Sequence, residues 1–346
     1  MLYLLSLYYR KDVPSGANKR FDELGKALVN ELGERLGVIV TAGNAPEWAS
    51  TCEVHEVKSY ENPFQRLRTT WELNQLLSTL RPATVITDFV PIPRRGLSGH
   101  YHVQLVHDLR RFVAFSSDRF EGLGRWYQKR ELQSATRLLT VSHTSKREIA
   151  RWCDIPDDRI LVSYNGVSPV YLAPDPDVRR DIDFLYVAAF VKRKNHLNLI
   201  EAIRRLETPT NTVFVGRDQG LLDECRARVD SAKLDRQITF LGSQSEEELL
   251  ALYNRAKVYV NPSLLEGFGI PLIEALGMGC VVAANDTPVF REVCGDNALY
   301  FDAKDPDSIC STMKEALRQR PPGSESASKF KWSEIASQLI QIVVPG

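Results

Sequence analysis

Short apolar runs alternate with segments of helical periodicity from one end of the chain to the other. This is the pattern of βα units wound round parallel sheets. In the first half it predicts strands over Tyr3–Tyr8, Val38–Thr41, Thr84–Thr87, Val103–Val106, Leu138–Val141 and Ile160–Ser163. Helices are predicted over Asn18–Leu32, Phe64–Leu80, Leu123–Ala135 and Ser145–Trp152. After Ser163 the periodicity stops in YNGVSPVYLAPDPDVRRD, rich in Pro, Gly and Asp, the composition of a linker. A second series follows, with strands over Asp183–Val187, Thr212–Val215, Ile238–Leu241, Val258–Val260 and Cys280–Ala284. Between and after them come helices over Asn195–Leu206, Gly220–Ala232, Glu246–Ala256, Pro271–Leu276 and Pro306–Arg318, and an amphipathic helix over Trp332–Val343. The expectation is an α/β protein of two doubly wound, Rossmann-like domains. Residues 1–167 form the first, 168–182 the linker, 183–328 the second, and 329–346 a helical segment that crosses back to the first domain. Ligands of such sheets bind beyond the carboxyl ends of the strands, which places the site in a cleft that the two domains face.

A length of 346 residues with 43% hydrophobic residues supports two cores of this kind. Lys and Arg number 44 and so do Asp and Glu, a balance that argues against a dedicated nucleic-acid binder. The charge is uneven, however. Between Arg94 and Arg147 basic residues dominate, with pairs at Arg94-Arg95, Arg110-Arg111, Lys129-Arg130 and Lys146-Arg147. Such a stretch is either a solvated face or a surface for anionic lipid head groups or a phosphorylated acceptor. Cysteines at 52, 153, 225, 280, 294 and 310 form no Cys-x-x-Cys pair, which points to reduced thiols of a cytoplasmic protein and to no zinc. The opening MLYLLSLYY is too short to span a bilayer, so it reads as a buried first strand and any membrane contact as peripheral.

The chemistry gathers in EGFGIPLIE, where Glu266 and Glu274 flank a glycine turn that leads into a helix. Pro271 suits a first helical turn because its missing donor would be unpaired there anyway. Gly267 and Gly269, with Phe268 and Ile270, let backbone amides approach a ligand, and the helix N-terminus favours phosphate. Glu266 can accept from neutral hydroxyls, and Glu274 from a vicinal diol, as the acidic residue of a dinucleotide fold grips ribose. Hydroxyls, phosphate and ribose together describe a nucleotide-sugar. Asp-x-Asp strings at Asp175/Asp177, Asp181/Asp183 and Asp305/Asp307 fall in the linker or begin a helix, so no metal site is expected. No dinucleotide glycine fingerprint, Walker A, zincin or esterase motif occurs.

The longer string PSLLEGFGIPLIEALGMGCVV resembles the E-x7-E signature of family 4 retaining glycosyltransferases of the GT-B fold. The resemblance implies that fold, with a nucleotide-diphosphate sugar as donor and no metal or other cofactor. VAAFVKRKNHLNLIEAI resembles the opening of the family's second domain, which implies that Lys194 contacts the donor diphosphate. Ala188-Ala189 stands where the family often carries a Gly-Arg pair, so Arg193 or Lys192 is the substitute for the second basic contact. A cationic helix start is unfavourable unless an anion binds there. QLVHDLR resembles the family's His-Asp motif, which implies that His107 contacts the donor sugar, with Asp108 orienting it or beginning a turn. Pro14-Ser15-Gly16-Ala17 sits where the family has a glycine-rich turn beside the diphosphate; here Gly16 alone is present, and a plain turn with a helix cap fits as well. TVSHTSKREI and Asn165–Val167 resemble structural landmarks of the same family.

The expected catalytic residues are thus His107, Lys194 and Glu266, and the expected donor-binding residues Gly16, Arg193, Lys194, Gly267, Phe268, Gly269, Ile270 and Glu274. The expected reaction transfers a hexose, of the mannose, glucose or N-acetylhexosamine type, with retention to a glycan or lipid-linked oligosaccharide of a bacterial surface polysaccharide or lipopolysaccharide. The expected location is the cytoplasm, with peripheral contact to the inner leaflet through the basic stretch. A non-catalytic nucleotide-sugar binder, or a GT-B hydrolase, epimerase or phosphorylase, is the alternative.

Overall fold

Unbroken apolar strands such as LYLLS and VVAAN have no polar face to give to water, so they need cover on both sides. The computed structural model supplies it with two wholly parallel sheets. It describes residues 1–13, 15–58, 63–88, 96–109, 112, 121–321 and 323–343. The chain divides into one compact unit of Met1–Gly166 with Trp332–Gly346, and a second of Val167–Lys331.

The strands of the first unit are β1 (Leu2–Ser6), β2 (Leu36–Thr41), β3 (Glu53–Val57), β4 (Thr84–Thr87), β5 (Tyr101–Val106), β6 (Arg137–Thr140) and β7 (Ile160–Val162). Their order is β3-β2-β1-β4-β5-β6-β7, so the winding direction reverses between β1 and β4. The helices are α1 (Gly16–Leu32), α2 (Pro63–Thr79), α3 (Glu121–Ser134) and α4 (His143–Cys153). The pattern did not predict β3, because EVHEV is half polar; it is an edge strand, where that composition is tolerated. The terminal helix α11 (Trp332–Val343) packs on α1, with the Ser337 hydroxyl donating to Glu31 at 2.8 Å and that of Thr84 to the Val343 carbonyl at 3.1 Å. The Arg20 guanidinium is fully buried. It donates to the Ser163 carbonyl at 3.1 Å, the Tyr164 carbonyl at 2.8 Å and Asn165 Oδ1 at 2.8 Å, tying the end of the unit's chain to α1.

The second unit holds β8 (Ile182–Val187), β9 (Thr212–Val215), β10 (Ile238–Leu241), β11 (Ala256–Asn261), β12 (Val281–Asn285) and β13 (Ala298–Phe301) in the order β10-β9-β8-β11-β12-β13. Its winding reverses between β8 and β11. Around the sheet lie α5 (His196–Arg204), α6 (Leu222–Ser231), α7 (Glu246–Arg255), α8 (Ile270–Gly277), α9 (Pro288–Cys294) and α10 (Pro306–Ala316). The pattern missed α9 and β13, which are too short to show a period. Residues 168–182, expected as a linker, fall in this second unit. Tyr171 is fully buried there, and its carbonyl lies so near Gly277 that a Cβ would stand 2.3 Å from it. Arg180 donates to the carbonyls of Met278, at 2.7 Å, and Ala256, pinning the segment to α8 and β11.

His196 opens α5 inside this core, among the rings of Phe190, Tyr186 and Phe214. Burial, and secondarily the charge of Lys194, push its pKa down from 6.5 to about 3. The folded unit therefore refuses a proton that the unfolded chain accepts. Stability owed to this neutral ring is complete above about pH 6.5 and falls by about 1.4 kcal/mol per pH unit below it. Urea unfolding at about pH 7.5 and about pH 5 should show a shallower pH slope for His196→Phe than for the wild type; equal slopes would contradict a buried neutral imidazole.

Candidate functional site

Two chain segments leave the carboxyl ends of β8 and β11, the strands that flank the reversal of the second sheet. After β8 the chain makes a tight helical turn over Lys192–Lys194 and enters α5 through Asn195, at φ 59°. A left-handed backbone at a residue other than glycine needs support. Here the Asn195 amide donates to the Ala303 carbonyl at 2.7 Å. After β11 the chain runs through Ser263 and Leu264 to Glu266. The Leu264 amide donates to the Arg193 carbonyl at 2.9 Å, joining the two segments. Below them the buried Tyr186 hydroxyl donates to the Lys194 carbonyl at 2.8 Å and lies 3.0 Å from Ser263 Oγ. Asn285, at the end of β12, donates to the Ser263 carbonyl at 3.0 Å and accepts from the Ala303 amide at 3.1 Å. Four strand ends are thereby stitched by buried amides and hydroxyls, whose bonds are strong where water is excluded.

On this frame Lys194 Nζ pairs with Glu266 Oε1, and Arg193 stands 4.0 Å from Glu266 Oε2. The three side chains are 13%, 15% and 19% exposed for Lys194, Glu266 and Arg193, so the cluster is largely shielded yet open to a ligand. Directly after it Gly269, at φ 99°, starts α8, with Pro271 in its first turn. A side chain at Gly269 would meet Leu272 at 2.8 Å and Phe290 at 3.1 Å, so the position demands glycine twice over. Phe268 turns inward, 2% exposed, and packs edge-on against Phe330 at 5.6 Å. Its ring and the buried Ile270 anchor the loop, leaving the backbone as the part able to meet a ligand. Glu274 is 4% exposed inside α8 and accepts from the Tyr253 hydroxyl at 3.0 Å. Burial first, then the Glu274 charge, hold the Tyr253 phenol well above its ordinary pKa, so that it remains a donor. The cluster brings Lys194, Arg193 and Glu266 together and gives Glu274 a separate partner.

In the first unit His107 follows β5, and its Nε2 lies 3.2 Å from Asp88 Oδ1. Asp88 follows β4 directly. The sequence reading passed over it, although a carboxylate at the carboxyl end of a predicted strand was a usable signal. Tyr186, Tyr253 and Asn285 were missed for a different reason, since nothing local marks a residue whose partners are far along the chain. Gly16 is the first residue of α1, with open space where a Cβ would stand and no positive φ. Ser15 Oγ caps the helix by accepting from the Asn18 amide at 3.1 Å, which is the plain-cap alternative. Of the Asp-x-Asp strings, Asp181 pairs with Arg255 at 2.8 Å and Asp183 with Lys257 at 2.7 Å, while Asp305 caps α10. Among the described residues no group of three acidic, histidine or cysteine side chains could hold a metal ion. Arg94, Arg95, Arg110 and Arg111 lie outside the described residues.

Residues 14–171 match the family model described as Glycosyltransferase Family 4, and residues 176–333 that described as Glycosyl transferases group 1. The O-antigen chain mannosyltransferase RfbU of Salmonella typhimurium is 33% identical over 226 residues, 65% of this chain. The match spans 62% of that relative's length. Among solved structures, sucrose-phosphate synthase from Thermosynechococcus elongatus superposes with a TM-score of 0.80 at 18% identity, over 99% of this chain and 97% of that one. HepE of Anabaena, in complex with UDP and glucose, gives 0.78 at 15% identity over 98% of each chain. This chain therefore carries a Glycosyltransferase Family 4 domain followed by a group 1 glycosyl transferase domain, the two Rossmann-like halves of the GT-B fold.

Proposed function

We propose that this protein is a glycosyltransferase that moves a hexose from a nucleoside diphosphate sugar to a glycan or lipid-linked acceptor of a surface polysaccharide. The cluster of Lys194, Arg193 and Glu266 ahead of Gly269 and α8 carries the proposal. The name of the Salmonella relative favours mannose as the hexose. In the unliganded protein Glu266 occupies the two cations. A diphosphate offers them charge of the same sign and more of it than one carboxylate, and the amides at the start of α8 add donors for it. Glu266, released, accepts from hydroxyls of the sugar. Glu274, oriented by Tyr253, accepts from the ribose diol.

Transfer breaks the bond from C1 to the diphosphate oxygen, with the electron pair leaving on phosphate. Lys194, Arg193 and the helix start meet the charge that builds there, which is the role a metal would otherwise fill. The acceptor oxygen bonds C1 from the face that the diphosphate leaves, and its proton passes to a phosphate oxygen. The anomeric configuration is then retained, in keeping with the family resemblance.

Peripheral contact with an anionic membrane face is part of the proposal. Among the described residues no helix is long and apolar enough to cross a membrane. Trp126, Tyr127 and Trp152 are 54%, 45% and 43% exposed on α3 and α4, and Arg130 and Arg151 stack on the two indoles at 5.2 and 5.6 Å. The two helices are joined by the Lys129–Asp154 pair and by the Gln133 amide donating to the Cys153 carbonyl at 2.9 Å. Exposed indoles with arginines are the composition of an interfacial anchor.

Lys194→Ala should lower kcat/KM by about 10²–10³-fold. Glu266→Gln should keep or tighten binding of the free nucleoside diphosphate while abolishing sugar transfer, and Glu274→Gln should weaken the nucleotide itself. Calorimetry with UDP and GDP, beside turnover of their sugar conjugates in chelator, reads all three. Parallel loss of nucleotide affinity in both glutamate variants would sink this division of roles, and loss of turnover in chelator alone would sink metal independence. Separately, the protein should co-sediment with vesicles containing anionic lipid, and Trp126→Ala/Trp152→Ala should reduce that binding severalfold. Unchanged binding by the double variant would reject the patch.

A further inference from the structure

The reversal point of the first sheet carries its own polar chain. Ser6 ends β1, Asp88 follows β4 and His107 follows β5. Each proton in the chain has one possible direction. The Tyr9 amide donates to Ser6 Oγ at 3.1 Å, so the Ser6 hydroxyl is left to donate to Asp88 Oδ2, at 2.5 Å. The Asp88 amide donates to the Leu5 carbonyl at 3.0 Å, fixing the backbone that carries the carboxylate. Burial alone would raise the Asp88 pKa. The bond and charge of His107, the bond from Ser6 and the charge of Arg20 more than offset it and hold Asp88 below the usual carboxylate range. Arg20, fully buried, lines the same small cavity as Asp88. Asp88 is therefore an ionised carboxylate that can only accept, and the His107 nitrogen 3.2 Å from Oδ1 must be the donor.

We propose that Asp88 is a positioning residue, which fixes His107 with its proton on Nε2 and thereby presents Nδ1 as a hydrogen-bond acceptor for a hydroxyl of the ligand. Nδ1 has no partner among the described residues, and the side chain remains 25% exposed. A ring held in this way accepts from a hydroxyl and gives nothing to a carbonyl or phosphate oxygen while it is neutral. It thus selects a ligand that brings its own donor, as a sugar does. The nature of that ligand rests on the transferase reading above, whereas the state of the ring does not.

Long-range proton–nitrogen spectra of labelled protein separate the two. With six histidines in the chain, His107→Gln assigns the signal. At a pH where the ring is neutral, His107 should appear solely as the Nε2–H form, with a slowly exchanging proton. Asp88→Ala should return it to a tautomer mixture with fast exchange. Asp88→Asn keeps an acceptor oxygen and the side-chain shape, so it should retain much of the signature even if the alanine variant folds poorly. A wild-type ring protonated on Nδ1, or a ring indifferent to both variants, would overturn the proposal. Addition of GDP-mannose or UDP-glucose should then shift Nδ1 in the wild type, and a bound sugar nucleotide that leaves Nδ1 unmoved would overturn its role as acceptor. Asp88→Ala should lower kcat/KM by about 10–100-fold, the scale of a small misplacement, and Asp88→Asn by less, with affinity for the free nucleoside diphosphate unchanged in both. If no sugar nucleotide binds while the Nε2–H signature is present, the transferase reading fails and the positioning of His107 by Asp88 survives.

Discussion

A lysine, an arginine and a glutamate left to themselves at a protein surface would gain little from one another, because water screens them and their side chains are mobile. Burying them costs desolvation that only good geometry repays. The second unit resolves this by fixing the backbone rather than the side chains. Tyr186 holds the carbonyl of Lys194, Leu264 that of Arg193, and Asn285 that of Ser263. The ion pair of Lys194 with Glu266 is then assembled at little further cost in order. Because the pair neutralises itself when no ligand is present, the unit folds with the Lys194 charge compensated.

Glycine at position 269 extends the same logic to α8. The helix is buried along nearly its whole length, and it can start where it does only because the chain takes a left-handed turn beneath Phe290. Phe268, locked on Phe330, keeps that turn from drifting. The first unit repeats the arrangement with different chemistry, for its polar chain also sits where the winding of the sheet reverses. One sheet end concentrates positive charge round a carboxylate. The other buries a carboxylate that orients an imidazole.

The sequence made the architecture legible because parallel strands buried on both faces must be continuous apolar runs, and these are visible one by one. Elements whose burial is partial or whose length is a single turn escaped, as β3, α9 and β13 show. Lys194 and Glu266 could be read as partners in chemistry from their motifs, but not as partners of each other, since contact between residues 72 apart is a property of the folded sheet. The same holds for Asp88 and His107. Phe268 illustrates the converse. It lies in the middle of the motif and looks like a ligand contact, yet its ring belongs to the core. The segment 168–182 read as a linker by composition, and the burial of Tyr171 and the bonds of Arg180 give it to the second unit.

The most direct test is a high-resolution structure of the protein with a nucleoside diphosphate bound. The account predicts phosphate oxygens in hydrogen-bond contact with Lys194 Nζ and with the first amides of α8, and the Glu266 carboxylate detached from Lys194. A diphosphate bound elsewhere, with the Lys194–Glu266 pair intact, would contradict it.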